Sequence, residues 1–343
     1  MTPDPPRDDK IRITLDDLAA APEREQPAGY GTVAQEPAAA AAEESKGSIV
    51  MKAWFYLGFA GLLGALLAWA ICEPKFLDGG RNTWANLLMF PLMLAFMCIG
   101  FGVAEALVER SPRKGVVRGL LSLGLGIVLG FIFFFIANII YNIGLSILFQ
   151  AGGFSERSPG LWVVRGIAWM GFGVAGGIVY GIVGQSGKKC LYGIAGGVLG
   201  AGIGGAVFDP ISIAVGHAGA SRAVGMALFG AATGVAMGLV ESALKDRWLY
   251  VSAGPLAGKQ FILYKPLTAI GSDQNCDIYL FKDPAVLPRH ASIEFRGTRA
   301  VVRASGPVEV QGRRAAETYL QSGDAIKIGR YTFLYRERER GPR

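Results

Sequence analysis

Few side chains in this sequence have a type and spacing that could perform chemistry, and His290 is the clearest of them. It follows Arg289 in the stretch "DPAVLPRHASIEF". A histidine can act as a general base, ligate a metal ion, or join loops through its two ring nitrogens. Catalysis would require a partner group, but the sequence shows no Ser-His-Asp or Cys-His arrangement in a strand-turn-helix context. We therefore predict that the protein is not an enzyme.

Metal and redox chemistry are not indicated either. The chain has two histidines, His217 and His290, and no CxxC pair among its four cysteines. A zinc site needs several closely spaced Cys or His ligands, which neither histidine has. We predict no metal and no cofactor. The scattered cysteines are Cys72, Cys98, Cys190 and Cys276.

The composition divides the chain into three parts. With 343 residues, 51% of them hydrophobic, 49 glycines and 18% charged residues, the whole is too apolar for an ordinary soluble protein. Residues 1–50 are rich in Ala, Pro, Glu and Asp, and predict a disordered cytoplasmic leader without the basic start of a signal peptide. Residues 51–243 are long apolar runs. Residues 244–338 alternate like strands, and a charged tail, 339–343, follows.

The apolar region predicts a transmembrane helical bundle. A bilayer core about 30 Å thick needs roughly 20 apolar residues in a helix. The long third run, residues 119–149, leaves two alternatives: one tilted or extended helix, which we expect, or two short passes. Six segments meet the length, at about residues 53–72, 86–107, 119–146, 161–183, 191–208 and 223–243.

Basic residues cluster in alternate loops of the bundle. By the positive-inside rule this places those loops and both termini in the cytoplasm, as expected for a multi-pass protein of the inner membrane with the lipid bilayer as its surroundings. The formal charge of +7 then reflects topology, and no nucleic-acid partner is predicted. The clusters are Arg110, Arg113, Lys114 and Arg118; Lys188 and Lys189; and Lys245 and Arg247.

An internal repeat accompanies these loops. "GFGVAEALVERSPRKG" from Gly100 resembles "GFGVAGGIVYGIVGQSGKKC" from Gly171, and "TGVAMGLVESALKDR" from Thr233 is a fainter copy. The shared orientation predicts a parallel repeat of helical hairpins. Small-xxx-small spacing in "GIAGGVLGAGIGG" predicts glycine-rich faces that pack closely, either within one chain or between copies in an oligomer.

The spans hold almost no ionisable residue at mid-depth. Asn138 and Asn142 are the polar exceptions. They predict either hydrogen bonds between helices or a path for a small solute. A transporter or channel therefore stands as the alternative to a membrane anchor.

After Trp248 the pattern changes to short alternating strands separated by Gly, Asp, Asn, Ser and Pro turns. "KQFILYK", "CDIYLF", "ASIEF", "AVVRA" and "AIKIGRYTFLY" are such strands. Their spacing predicts an all-β sandwich of roughly 90 residues.

The blocks "IG" at 270–271, "CDIYL" at 276–280, "RHASI" at 289–293 and "LQSGDAIKIG" at 320–329 resemble the forkhead-associated (FHA) domain, together with Asp283, Val286 and Phe333. The resemblance covers about a quarter of the chain. It implies a sandwich that reads phosphothreonine peptides, with a histidine at His290 that braces the loops behind the recognition surface. The structural frame implied by the resemblance is Gly271, Asp277, His290, Gly312, Gly323, Asp324 and Gly329.

The binding positions depart from the family pattern. The family carries Arg after the glycine, Ser three residues before the histidine and Asn before the later glycine, where this chain has Ser272, Leu287 and Gln311. A dianionic phosphate is best bound by a guanidinium fork, which Ser272 and Leu287 do not offer. Basic neighbours offer partial compensation. The candidate partner-binding residues are Ser272, Lys282, Leu287, Arg289, Gln311 and Arg313.

These patterns predict a bacterial membrane-anchored signalling adaptor whose FHA-like sandwich binds a protein partner. Three outcomes stay open: an unphosphorylated partner, a phosphothreonine-containing substrate of a Ser/Thr kinase, or a role in assembly. Thr14 and Thr32 in the leader are candidate phosphoacceptors for a self-binding switch. The alternative function is a small-solute transporter or channel with a regulatory sandwich.

Overall fold

The computed structural model describes residues 49–77, 83–152, 155, 158–216 and 218–338. Predictions for the leader up to residue 48, including Thr14 and Thr32, concern residues outside these ranges. The same holds for His217 and for the tail at 339–343.

Six helices in the described part of the chain are long and apolar enough to cross a membrane. Each helix packs against the next in sequence, and the last packs against the first, so the helices form a closed ring. Large apolar side chains on the outer surface of the third helix, such as Ile132, Phe135 and Ile139, are exposed as expected for contact with lipid. The helices are α1 Ala53–Cys72, α2 Trp84–Val108, α3 Pro112–Gln150, α4 Pro159–Val183, α5 Gly187–Val215 and α6 Ala218–Leu244.

The long third run is one helix of 39 residues. It begins at Pro112, directly after Ser111, and not near residue 119 as the apolar pattern indicated. α5 likewise extends from Gly187 to Val215 and contains Pro210. Hydropathy marks only the apolar part of a helix, whereas backbone hydrogen bonding continues through the polar turns at its ends. The sequence pattern therefore predicted helices that are shorter than the observed ones.

Asn138 and Asn142 do not join helices. The side-chain Nδ2 of Asn138 donates to the Phe134 carbonyl at 2.9 Å, and that of Asn142 donates to the Asn138 carbonyl at 2.7 Å. Both side chains lie on the exposed side of α3. The amide groups are satisfied one turn back on their own helix. In the described part of the chain, neither makes a hydrogen bond to another helix, which was one of the two roles predicted for them.

The glycine-rich faces pack against other helices of the same chain. A Cβ on Gly173 would collide with the backbone at Gly197 across the α4–α5 contact. One on Gly234 would collide with the Leu57 carbonyl across the α1–α6 contact. Backbones this close leave no space for a side chain. Packing within one chain thus occupies these faces, including the ones considered for an oligomer.

Aromatic and methionine side chains fill the interior of the bundle. Phe90 stacks on Phe172 with ring centroids 5.5 Å apart, and Trp169 meets Phe229 edge to face at 5.1 Å. Met93 and its buried neighbours complete this cluster.

The C-terminal region is a sandwich of two sheets. One sheet has the order β2-β1-β11-β10-β7-β8, and the other has the order β4-β3-β5-β6-β9. Inward side chains from both sheets form a single core, with Tyr331, Phe333 and Tyr335 alternating along the last strand. The strands are β1 Arg247–Ala253, β2 Gln260–Ile262, β3 Leu267–Gly271, β4 Ile278–Tyr279, β5 Ala291–Arg296, β6 Arg299–Ala304, β7 Val308–Val310, β8 Arg313–Arg314, β9 Glu317–Leu320, β10 Ala325–Ile328 and β11 Tyr331–Glu337.

Candidate partner-binding face

His290 lies behind two loops and joins them. Its Nδ1 accepts a hydrogen bond from the Leu287 backbone N–H at 3.0 Å, so the proton is on Nε2, which donates to the Pro307 carbonyl at 2.9 Å. The side chain is 1% exposed. The backbone carbonyl of His290 accepts hydrogen bonds from the backbone N–H groups of Ser305 and Gly306. The ring therefore links the β4–β5 loop to the β6–β7 loop.

Ser272 and Leu287 lie side by side. The Ser272 N–H donates to the Leu287 carbonyl at 3.0 Å, and the Ser272 hydroxyl donates to the Val286 carbonyl at 2.9 Å. The hydroxyl proton is thus already used within the loop. Leu287 is 44% exposed. This position presents an apolar side chain where a phosphate would need a donor.

Asp283 holds the other end of the β4–β5 loop. Its Oδ2 accepts from the Arg330 N–H at 2.8 Å, and its Oδ1 accepts from the Ala285 N–H at 3.0 Å. The hydrogen bond from Arg330 is the main reason why the pKa of Asp283 lies below its usual value. Gly329 has φ +57°, and a Cβ there would collide with the Asp283 carboxylate. The loop is therefore fixed at both ends.

Three exposed residues lie on the braced β4–β5 loop: Lys282, Leu287 and Arg289. His290 joins this loop to the 305–307 loop. We call the 282–289 loop, Ser272 and the 305–307 loop the recognition face. It combines an apolar centre with two cations.

Gln311 and Arg313 lie elsewhere. They belong to the β7–β8 turn, where Gln311 and Gly312 have φ 51° and 73°. The Gln311 Nε2 donates to Asp324 Oδ1 at 3.0 Å, at the far end of β7 from Pro307. β7 itself separates the two ends by roughly 10 Å at 3.3 Å per residue. The FHA resemblance assigned Gln311 to the binding surface because it directly precedes a glycine, Gly312. That glycine belongs to the β7–β8 hairpin turn and not to the loop beside His290.

The loop that does reach the recognition face is Ser305 to Pro307, which the sequence pattern missed. A Cβ on Gly306 would overlap the imidazole of His290. The glycine is therefore required for the close approach of this loop to the ring. The dipeptide Gly306-Pro307, just before a strand, was the available signal.

The remaining frame residues fix turns and strand contacts. A Cβ on Gly271 would collide with the Pro288 carbonyl. Asp277 accepts from the Ala269 N–H at 2.9 Å and pairs with Lys265 at 2.8 Å. Asp324 accepts from the Gln321 N–H at 2.7 Å, beside Gly323 with φ +106°. These contacts shape the sandwich behind the recognition face.

The sandwich also rests on the bundle, through contacts that the sequence did not indicate. Lys114 in α3 donates to the carbonyls of Cys276 and Asp277 at 2.7 and 3.2 Å. Tyr264 donates to the Glu241 carboxylate of α6, and Lys265 donates to Gln185 at 3.2 Å. We call this region, where the helix ends meet the sandwich, the junction. It lies at the basic turns of the repeat.

Together, the structure has a ring of six helices long and apolar enough to cross a membrane, followed by a loop-braced sandwich of the FHA type. Residues 250–339 match the sequence model of a family described as "Inner membrane component of T3SS, cytoplasmic domain". With the six apolar helices, this match indicates an inner-membrane protein.

Curated relatives match over about a quarter of the chain. The glycogen accumulation regulator GarA of Mycolicibacterium smegmatis is 32% identical over 90 residues, which is 25% of this chain and 56% of that protein. The oxoglutarate dehydrogenase inhibitor of Corynebacterium diphtheriae is 38% identical over 101 residues, or 28% of this chain and 66% of that protein. This chain therefore spans between half and two thirds of each relative.

Among solved structures, the FHA domain of the CT664 protein from Chlamydia trachomatis is similar at 26% identity, with a TM-score of 0.26. That match covers 27% of this chain and 99% of the other.

Proposed function

We propose that the protein is a membrane-anchored adaptor whose FHA-type sandwich binds a protein partner through the recognition face. The observation that carries this proposal is the double bracing of the β4–β5 loop by His290 and Asp283. A loop held at both ends loses little conformational entropy on binding, which favours recognition of another chain. Leu287 supplies exposed apolar area at its centre.

The chemistry of the face favours a segment with an apolar residue beside acidic or phosphorylated ones. Arg289 and Lys282 are the cations available to an anionic side chain. The Ser272 hydroxyl already donates to Val286, so a phosphate gains less here than in a site with a free arginine and serine. We propose that a phosphothreonine produced by a Ser/Thr kinase strengthens binding but that the unphosphorylated segment also binds.

The test uses the full chain in lipid nanodiscs, applied to an array of phosphothreonine peptides and their unphosphorylated counterparts. Binding should occur with both sets and be only a few-fold tighter with phosphate. Arg289→Ala should weaken binding about tenfold, since it removes a charge-assisted contact. Arg299→Ala is the matched control, because this exposed arginine lies at the opposite end of the same sheet. No binding by either set, or equal losses in the two variants, would refute the recognition face.

We further propose that the sandwich and the basic turns of the bundle are cytoplasmic. The positive-inside rule supports this orientation, because the turns at Arg113 and Lys188 are basic. In a variant without native cysteines, Ser155→Cys should react with an impermeant maleimide on intact spheroplasts. Arg314→Cys should react only after permeabilisation. The reverse pattern would overturn the orientation.

A further inference from the structure

A cavity of about 660 Å³ lies at the junction, apart from the β4–β5 loop. The bundle lines it with the ends of its helices, and the sandwich lines it with residues 258–265 and the β3–β4 loop. This volume falls within the range of small-molecule sites, roughly 300–1,000 Å³. Eight basic side chains and four acidic ones line the cavity, so its wall carries an excess of positive charge.

Most charges in the wall are paired. Glu105 accepts from Lys189 at 2.7 Å and pairs with Arg118 at 3.1 Å. Glu241 accepts from the hydroxyl groups of Tyr180 and Tyr264. Such contacts explain why these ions tolerate burial.

Two buried charged groups in the wall, Lys259 and Glu109, are not matched in this way. Lys259, on the sandwich, is 3% exposed, and its ammonium lies 4.9 Å from the centre of the Tyr56 ring in α1. Within the described residues, it makes no ion pair. Glu109, at the end of α2, is 4% exposed, and its Oε2 has no hydrogen-bond partner there. The nearest ammonium, that of Lys114, is 3.7 Å away from this oxygen.

A buried ion without a hydrogen-bonded counterion costs several kcal/mol, so two such groups beside one cavity indicate that something else satisfies them. The ammonium group of Lys259 would be satisfied by an anion. The Oε2 atom of Glu109 would be satisfied by a hydroxyl or amino group that donates a hydrogen bond to it. The excess of basic side chains favours an anion with more than one negative charge, which a phosphate provides and a single carboxylate does not.

We propose that the junction cavity binds a small phosphate-bearing molecule that also carries a hydroxyl or amino group. Lys259 pairs with the phosphate, assisted by Lys114. Glu109 accepts the hydroxyl or amino hydrogen. A soluble phosphate ester and the headgroup of a phospholipid share this chemistry, and the cavity is lined by the ends of the apolar helices.

The repeat explains how these groups come to surround one cavity. The copies "GVAEALVE", "GVAGGIVY" and "GVAMGLVE" end at Glu109, Tyr180 and Glu241. Glu109 and Glu241 line the cavity, and Tyr180 donates to Glu241, so equivalent positions in three helices lie at or beside it. Lys114 and Lys189 follow the turns of the first two copies. The repeat thus places acceptors and cations around a common centre.

The experiment measures binding to the full chain in nanodiscs. In one arm, nanodiscs of phosphatidylcholine alone are titrated by calorimetry with pyrophosphate and with ATP. In the other arm, nanodiscs with increasing phosphatidylglycerol are analysed for lipid retained by the protein in native mass spectrometry. Saturable binding in the first arm identifies a soluble phosphate, and selective retention in the second identifies a headgroup.

Two variants test the assigned residues in opposite directions. Lys259→Met should weaken the observed binding at least tenfold, because it removes the ammonium group and keeps an unbranched apolar side chain at this buried position. Glu109→Gln should tighten pyrophosphate binding severalfold in the soluble arm, because it removes a negative charge; general damage to the fold would weaken binding in both variants. Lys327→Met, on the exposed β10 side of the sandwich, is the control and should have no effect.

Absence of binding in both arms would overturn the proposal. So would the same affinity or retention in the wild type and in Lys259→Met. In the lipid arm, the Lys259→Met protein must retain less phosphatidylglycerol than the wild type, and the Lys327→Met protein must retain as much as the wild type. Because the recognition face is untouched by these variants, failure here is distinct from failure of the peptide-binding proposal.

Discussion

His290 shows how hydrogen bonding decides what a histidine can do. Both ring nitrogens are engaged with backbone groups, Nδ1 with the Leu287 N–H and Nε2 with the Pro307 carbonyl. A nitrogen that serves as a general base or metal ligand must have a free lone pair. The lone pair of Nδ1 accepts the hydrogen bond from the Leu287 N–H, and Nε2 carries the proton. The geometry therefore favours the bracing role that the FHA resemblance implies.

Substitution His290→Ala should destabilise the sandwich by about 2–4 kcal/mol, because it leaves a cavity and removes partners from two buried backbone groups. The amide protons of Leu287 and of the 305–307 loop should exchange faster in deuterated buffer. Arg299→Ala, on the exposed surface, should leave these rates unchanged. Unaltered exchange at Leu287 in the His290 variant would contradict the bracing role.

Asp283 makes the recognition face sensitive to acid. Its pKa in the folded state is lowered by the hydrogen bond from the Arg330 N–H, so its contribution to stability is fully present above the ordinary aspartate value of 3.8. That contribution is lost as the pH falls through the lower folded pKa. Exchange of the Arg330 amide, corrected for intrinsic rates, should accelerate below about pH 4. Asp283→Asn should remove this pH dependence, and a variant that kept it would contradict the assignment.

At the scale of helices and strands, the sequence predicted the existence of elements better than their ends. All six apolar runs are helices, because lipid-length hydrophobicity is a strong local signal. The first residue of α3, Pro112, lies in a basic turn that carries no apolar signal. Gln311 shows the same limit in the sandwich, because its sequence neighbours do not reveal which turn it occupies. Its position is set by the pairing of β7 with β10, two strands that are distant in sequence.

Helix glycines should divide into those that touch another backbone and those that do not. Gly177→Ala should destabilise the bundle by roughly 1–3 kcal/mol, because the new methyl would collide with the backbone of Ile194 in α5. Gly124→Ala, on α3 with open space around it, should stabilise the bundle by about 0.5–1 kcal/mol through helix propensity. Unfolding in mixed micelles with increasing SDS measures both. Equal effects would show that α4 and α5 do not pack through glycine.

At the scale of the whole molecule, charges that indicate membrane topology also join the sandwich to the bundle. Lys114 donates to two carbonyls of the sandwich, and Lys189 pairs with Glu105 beneath it. Sequence patterns identified both lysines as parts of basic loops, a property that depends only on local composition. Their partners are distant in sequence and become neighbours only when both domains are folded. For this reason the junction could not be predicted.

The junction should loosen when Tyr264 loses its hydroxyl. Tyr264→Phe leaves the Glu241 carboxylate, which is buried, with Tyr180 as its remaining hydroxyl donor. A lost hydrogen bond to a buried charge costs about 1–3 kcal/mol. Hydrogen exchange in β2 and β3, and tryptic cleavage at Lys245, should therefore both become faster in nanodiscs. Tyr319→Phe is the matched control, because that tyrosine is exposed on β9; equal rates in the two variants would show that the Tyr264 hydroxyl does not hold the sandwich to the bundle.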